Sequence, residues 1–278
     1  MADTSAKPEP TQTPSPLVAW LVSVFDWLVS YPLAMLAEVG VLGRITFETV
    51  LWAIRPPYRF YRVLDAMEFI GVQSIAIVGL TGASVGSVFS LQLVDGFRRF
   101  GAENQTGSVI GVALARELAP VFAALMVSAR AGSSIATEIG SMRVSSQIDA
   151  LTTMSVSPVQ YLVVPRVIAG ILMVPVMALL FNLIGLAGAY GVAVHIEGLD
   201  GGIFLERVRW FVDRIDLWQG LFKAAIFGFT LTTISCRQGY YATGGAEGVG
   251  RATNRAVVQS AVVILVLDYV ITSVFFVG

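Results

Sequence analysis

Three charged residues interrupt the apolar stretches of this chain and are its first candidates for chemistry. Arg116 and Glu117 stand in ALARELAPV and Lys223 stands in LFKAAIF. A charge inside a membrane segment costs roughly 3 kcal/mol on insertion scales, so each one calls for a functional hypothesis. The three can neutralise one another as a structural ion pair, or they can face a polar headgroup in a cavity. Two weaker polar candidates, which interhelical hydrogen bonding explains, are Asn182 and Asp268.

A second candidate is the polar segment GSMRVSSQIDALTTMSVSPVQYLVVPR. Ser146 and Asp149 have the spacing of a capping box, Ile148 and Leu151 fall on one helical face, and Pro158 ends the element. The pattern predicts a short amphipathic helix over about 145–156. Such a helix between two membrane spans is either a plain connection or a docking element for a soluble partner.

Other kinds of site find little support in the sequence. Gly245 and Gly250 have the spacing of a phosphate-binding loop, but Arg251 and Ala252 replace its lysine and its Ser/Thr. The single His195 offers no paired nucleophile or multi-histidine metal site. Intramembrane enzymes are therefore the least favoured class. A net charge of −1 and the lack of a basic run also argue against a nucleic-acid partner.

The composition predicts a membrane protein, because 55% of the residues are hydrophobic and only 13% are charged. Several apolar stretches reach the ~20 residues that cross a hydrocarbon core as a helix. The expected fold is an all-α polytopic membrane protein with about five transmembrane helices, an amphipathic interfacial helix before them and a short cytoplasmic helix between spans two and three. The predicted spans are 69–93, 109–135, 168–194, 217–235 and 256–277.

The N-terminal part is more polar than the rest. Residues 1–16 are rich in Pro, Ser and Thr and are expected to form a disordered tail. Residues 17–65 are predicted to form an interfacial helical segment, and 66–278 the transmembrane domain. The alternative topology makes the stretch from Leu17 to Leu36 a sixth span, which would move the tail outside.

The distribution of arginines predicts the orientation. With the N-terminus inside, ten arginines flank the spans on the cytoplasmic side and five lie outside. We therefore expect a cytoplasmic N-terminus and a periplasmic C-terminus. In the first span Gly82 and Gly86 have small-xxx-small spacing, which predicts close packing against another helix.

One segment of this chain strongly resembles the signature region of MlaE-type permeases. Its sequence is RELAPVFAALMVSARAGSSIATEIGSMRVSSQIDALTTMSVSPVQYLVVPRVIAG. These are the membrane subunits of ABC transporters that work with MCE lipid-binding proteins. The resemblance continues through Gly198–Asp200, Lys223, GYYATGGAEGVGRATNRAVV and LDYVITSVFF, and it covers about Val39 to the C-terminus.

This resemblance implies a multi-pass permease of the bacterial inner membrane that works as a homodimer. Each copy would pair with a cytoplasmic ATPase subunit that binds ATP and Mg, so that this chain itself binds no cofactor. A hexamer of MCE proteins would sit on the periplasmic side. The implied cargo is lipid, usually phospholipid, carried between the inner and outer membranes.

The resemblance also implies roles for individual residues. The ATPase-coupling helix would contain Ser146, Gln147, Ile148, Asp149, Ala150, Leu151 and Met154. The lipid cavity would be lined by Phe89, Leu93, Phe97, Phe100, Arg116, Glu117, Leu118 and Lys223. Ser146 departs from the family, since many relatives have glutamate there. One charged contact to the ATPase is therefore expected to be missing or replaced.

An ion-coupled secondary transporter is the alternative function, with Arg116, Glu117 and Lys223 as an ion or proton relay. Such folds often contain inverted repeats with broken helices in both halves. The sequence has no visible repeat of this kind, and five spans divide poorly into two halves.

Overall fold

A computed structural model describes residue 40, residues 43–44, 46–52 and 60–277, with side chains through 275. The chain divides into two units, Met1–Arg44 and Ile45–Gly278, and the fold below is that of the second. The expected tail at 1–16, the stretch from Leu17 to Leu36 and most of the expected interfacial segment lie outside the described residues.

The described part of the chain is helical throughout its regular elements. Residues 46–52 are helical, and the helices that follow are α1 (Phe60–Ile70), α2 (Ile75–Arg98), α3 (Thr106–Ala113), α4 (Ala119–Val127), α5 (Ser133–Val144), α6 (Gln147–Thr153), α7 (Val164–His195), α8 (Gly201–Phe211), α9 (Arg214–Tyr240) and α10 (Gly245–Val277). Short 3-10 turns precede α2 and α3. Wider π turns precede α4, α5 and α7, at Leu114–Leu118, Ser128–Gly132 and Val159–Val163.

Among the residues that the structure describes, four helical stretches are long and apolar enough to cross a membrane. They cover Phe60–Arg98, Glu103–Val144, Val159–Ile196 and Gly245–Phe275. The predicted fourth span, 217–235, falls within α9, which is not among the four. This helix packs against α5, α7 and α10, and it buries polar residues such as Lys223, Thr232 and Ser235. A helix enclosed by other helices needs fewer apolar side chains than one that faces lipid, which explains its lower hydropathy.

Glycines let α2 and α7 approach closely. A Cβ added to Gly82 would lie 3.1 Å from the carbonyl oxygen of Phe181, and one added to Gly86 would collide with the backbone of Gly185. On the other side of the contact, a Cβ on Gly188 would lie 2.7 Å from the carbonyl oxygen of Ala83. The predicted role of the small residues in close helix packing is thus confirmed.

Gly86→Ala is expected to destabilise the protein by about 1–3 kcal/mol, because the new methyl group forces the two backbones apart. Gly96→Ala on the same helix is the matched control, since a Cβ added there would have nothing within 4 Å. That change removes a flexible residue from a helix and is expected to be neutral or stabilising by up to about 1 kcal/mol. Thermal unfolding of the detergent-solubilised protein measures both. Equal melting temperatures for the two variants would contradict the packing argument.

Candidate functional site

The π turn between α3 and α4 carries two of the predicted charges. Arg116 and Glu117 both lie within Leu114–Leu118, and Pro120 follows in the first turn of α4. Proline has no N–H to donate to the carbonyl four residues earlier, which is that of Arg116, so the regular helical ladder is interrupted here. Such π turns inside long helices are frequent at functional sites.

Lys223 joins three helical segments through its ammonium group. Its Nζ lies 2.5 Å from Glu117 Oε2, 3.1 Å from Asp268 Oδ1 and 2.6 Å from Thr272 Oγ1. The lysine side chain is only 2% exposed, whereas Glu117 is 36% exposed. We call Glu117, Lys223, Asp268 and Thr272 the lysine cluster. It satisfies all three N–H donors of the lysine, and the predicted interhelical bonding of Asp268 is confirmed.

Arg116 is held by a different partner. Its Nε and Nη2 atoms each lie 2.6 Å from Asp216 Oδ1. The other oxygen, Asp216 Oδ2, accepts the backbone N–H of Asp213 at 3.0 Å as part of the capping box of α9. Asp216 is 1% exposed while the arginine side chain is 33% exposed. Asp216 therefore holds the guanidinium of Arg116 in place, while part of the arginine side chain stays exposed at the surface. Sequence reasoning missed Asp216, although its capping-box spacing to Asp213 was a usable signal.

An open cavity of about 470 Å³ is bordered by Arg116 and Glu117. Its walls are mostly apolar and come from α3 and α8, with the two charged residues of the π turn at its edge. The lining residues are Ser108, Val109, Val112, Ala113, Arg116, Glu117 and Phe211. The arrangement can accept a molecule with one polar end and an apolar body.

The predicted aromatic wall lies on another helix. Phe89, Leu93 and Phe97 are half-buried on α2, and Phe100 follows that helix with 83% of its surface exposed. None of the four lines the cavity described above, and their place in a lipid-binding surface stays a prediction. Leu118 is half-buried in the π turn beside Glu117.

A short helix, α6, lies where the sequence predicts one, but two details of the prediction are wrong. Ser146 precedes the helix with a left-handed backbone (φ 59°) and makes no side-chain cap, so there is no capping box. Asp149 instead accepts from Arg143 at 2.7 Å. The helix ends at Thr153, followed by a second left-handed residue at Ser155, whereas Pro158 begins the π turn before α7.

The faces of α6 differ clearly in burial. Ile148 is 1% exposed and Leu151 is half-buried, so these residues fix the helix to the bundle. Met154 is 70% exposed. The remaining predicted coupling residues, all exposed, are Ser146, Gln147, Asp149 and Ala150.

The glycine-rich segment near the C-terminus is helical. Gly245 begins α10, and Gly250, Arg251 and Ala252 follow inside its first two turns. That this segment is not a nucleotide site stays a prediction from the sequence.

Comparisons with known proteins give one consistent family. The family model described as "Permease MlaE" matches residues 63–274. A protein of Rickettsia felis named "Probable ABC transporter permease protein" is 44% identical over 239 residues, covering 86% of this chain and 92% of the relative.

Two relatives have more specific names. The "Intermembrane phospholipid transport system permease protein MlaE" of Haemophilus influenzae is 34% identical, with 86% of this chain and 92% of the relative covered. "Protein TRIGALACTOSYLDIACYLGLYCEROL 1, chloroplastic" of Arabidopsis thaliana is 35% identical over 84% of this chain and 67% of the relative. The match of the family model over most of the chain, together with these identities, shows that the chain is a membrane-spanning transport component and belongs to the MlaE permease family.

Proposed function

We propose that this protein is the permease subunit of an MCE-type ABC transporter that moves phospholipids between the inner and outer membranes. The observation that carries the proposal is the apolar cavity with Arg116 and Glu117 at its edge. Membrane lipids combine a charged headgroup with apolar chains, and this cavity offers a matching surface to each. The printed name of the Haemophilus relative, a phospholipid transport permease, supports the same substrate class.

The two charges have different tasks in this proposal. Arg116 uses Nε and Nη2 for Asp216, and its remaining N–H donors bind the lipid phosphate. Glu117 is held by Lys223, so the negative charge at the cavity edge is compensated. The apolar side chains of Val109, Val112 and Phe211 contact the acyl chains.

The proposed membrane topology combines the helix order with the distribution of arginines. We propose that α9 crosses the membrane as a fifth span enclosed by the other helices, with the N-terminus cytoplasmic and the C-terminus periplasmic. The α6 end of the bundle then faces the cytoplasm, and the cavity beside α8 opens near the periplasmic side.

In this proposal, partner proteins supply the energy and exchange the lipid. We propose a homodimer of permeases in which each α6 docks on a cytoplasmic ATPase subunit that binds ATP and Mg. A periplasmic hexamer of MCE proteins exchanges the lipid with the cavity. Closure of the ATPase pair pushes on both α6 helices and changes the shape of the cavities.

Filling the cavity tests the substrate assignment. Val112→Trp places a large side chain in the apolar part of the cavity and leaves every charge in place. Phospholipid that copurifies with the complex, counted by mass spectrometry, is expected to fall about tenfold, as is ATP-dependent lipid transfer between vesicles. Val88→Trp on α2 is the matched control, because this valine is 51% exposed and lies outside the cavity. Normal lipid content and transfer in Val112→Trp would exclude this cavity as the substrate site.

The energy source separates this proposal from the secondary transporter. Transfer by the permease–ATPase complex is expected to stop when ATP is withheld and to continue when a protonophore removes the proton gradient. The opposite pattern would favour an ion relay through Arg116, Glu117 and Lys223.

A further inference from the structure

A polar pocket of about 390 Å³ lies at the other end of the bundle, where α1, α5 and the start of α7 meet. Its charged lining residues are Arg62, Asp65, Glu68, Glu138 and Arg166. We infer that this pocket binds the headgroup of an aminophospholipid, a zwitterion with a phosphate and a primary ammonium, from the leaflet on the α6 side. The site is separate from the cavity at Arg116.

The pocket lies at the ends of three membrane spans, which corresponds to the depth of the lipid headgroups. Its lining residues come from the beginning of the first apolar span, the end of the second and the beginning of the third. Consecutive spans alternate in direction, so these three ends lie on one membrane face. Glu138 follows Arg116 by 22 positions along a nearly continuous helical run. At 1.5 Å per residue this is about 33 Å, close to the ~30 Å of the hydrocarbon core.

Both arginines of the pocket are held in place by neighbouring residues. Arg62 donates to the hydroxyl of Tyr161, and its guanidinium carbon lies 4.1 Å from the centre of that ring. Arg166 donates 2.7 Å bonds to the carbonyl of Leu162 and to Glu138. Arg62 is exposed and retains further N–H donors, so it is the group that binds the phosphate.

The acidic residues explain why the ligand also carries an ammonium. Asp65 and Glu68 are exposed on α1, and among the residues that the structure describes neither has a hydrogen bond or ion-pair partner. With Glu138, the lining has three carboxylates against two arginines. Arg130 adds a third cation at the edge of the pocket, because it donates to Phe69 and Gln73 of the lining. The charges of both signs therefore balance, which matches a zwitterion better than an anionic headgroup. A primary ammonium can donate three hydrogen bonds to carboxylates, whereas the quaternary ammonium of choline can donate none.

The adjoining surface can accept the acyl chains. Leu64, Val72 and Ile75 expose 61%, 56% and 43% of their surfaces on α1 and at the start of α2. Leu64 lies among the pocket residues of α1, and Val72 and Ile75 follow them along the first span. A headgroup in the pocket would therefore have its chains beside this apolar face.

The test is lipid binding by the purified full-length chain in nanodiscs, read by native mass spectrometry. Nanodiscs contain phosphatidylcholine with either phosphatidylethanolamine or phosphatidylglycerol as the minor lipid. The wild type is expected to retain phosphatidylethanolamine at least about fivefold over the other two lipids. Asp65→Asn with Glu68→Gln is expected to abolish this preference, and Arg62→Gln to weaken retention of phosphatidylethanolamine about tenfold.

Matched controls keep the result specific. Asp95→Asn and Arg99→Gln alter an exposed ion pair at the opposite end of the same span and are expected to leave retention unchanged. Equal retention of the three lipids by the wild type, or an unchanged preference in the Asp65/Glu68 variant, would overturn the inference. A third outcome would also overturn the inference. If millimolar phosphoethanolamine displaced the bound lipid as effectively as phosphatidylethanolamine vesicles do, the pocket would be assigned to a soluble ligand. The assay needs no ATPase or transport, so its failure is distinguishable from that of the proposed function.

Discussion

Lys223→Met is expected to destabilise the folded protein by about 3 kcal/mol and to abolish lipid transfer. The lysine is 2% exposed and pairs with two carboxylates, Glu117 and Asp268. Removing one partner of a buried ion pair leaves uncompensated charge in a region of low dielectric, which typically costs about 3–5 kcal/mol. The lower end applies because Glu117 is 36% exposed to solvent. Thermal unfolding of the solubilised protein measures the loss.

A neutralised variant of the cluster tests whether Lys223 acts through its charge. In Lys223→Met combined with Glu117→Gln and Asp268→Asn, no unpaired charge remains, so most of the stability is expected to return. Lipid transfer is expected to return with it, because Arg116, which binds the lipid phosphate in the proposed function, is unchanged. Arg99→Met, which breaks an exposed pair with Asp95, is the control and is expected to change stability by less than about 1 kcal/mol. Full stability in Lys223→Met alone would show that the cluster does not hold the helices together.

The candidate site could be predicted only in part, because the sequence reveals its charged residues but not which residues they contact. Arg116, Glu117 and Lys223 stand out in any apolar stretch, and the sequence predicts them directly. Their partners do not: Asp216 is 100 positions from Arg116, and Thr272 is 49 positions from Lys223. Pairs so far apart depend on how the helices pack, which no local periodicity encodes.

The helical elements were more predictable than their exact role in the membrane. Four of the five predicted spans coincide with helices apolar enough to cross the bilayer. The exception, α9, shows the limit of hydropathy, because Lys223, Thr232 and Ser235 face other helices rather than lipid. The predicted ends of α6 differ from the observed ones because the backbone conformation at each end has no clear signal in the sequence. Left-handed residues at Ser146 and Ser155 bound the helix, and serine is not the residue type that usually signals this conformation.

Ala150→Arg with Met154→Arg is expected to abolish binding of the ATPase subunit while leaving the permease folded. Both residues are exposed at α6, and Met154 is a large apolar side chain with 70% of its surface uncovered. Under the proposed function this surface is buried against the ATPase, where two added charges would be desolvated without partners. Copurification of the two subunits and lipid-stimulated ATP hydrolysis are expected to fall at least about tenfold, while the melting temperature of the permease alone stays unchanged.

The charged residue of α6 needs a different variant, because Asp149 already has a partner within the chain. Asp149→Arg alone would break its 2.7 Å bond to Arg143 and place two like charges together. The double exchange Arg143→Asp with Asp149→Arg restores an ion pair of reversed direction, and since both side chains are partly exposed its effect on stability is expected to stay below about 1 kcal/mol. If Asp149 contacts the ATPase directly, the exchange still weakens ATPase binding. If ATPase binding is normal in the exchange and lost in the Ala150/Met154 variant, docking depends on the exposed residues Ala150 and Met154, and Asp149 only fixes the helix to α5. Normal ATPase binding in both variants would place the coupling surface elsewhere on this chain.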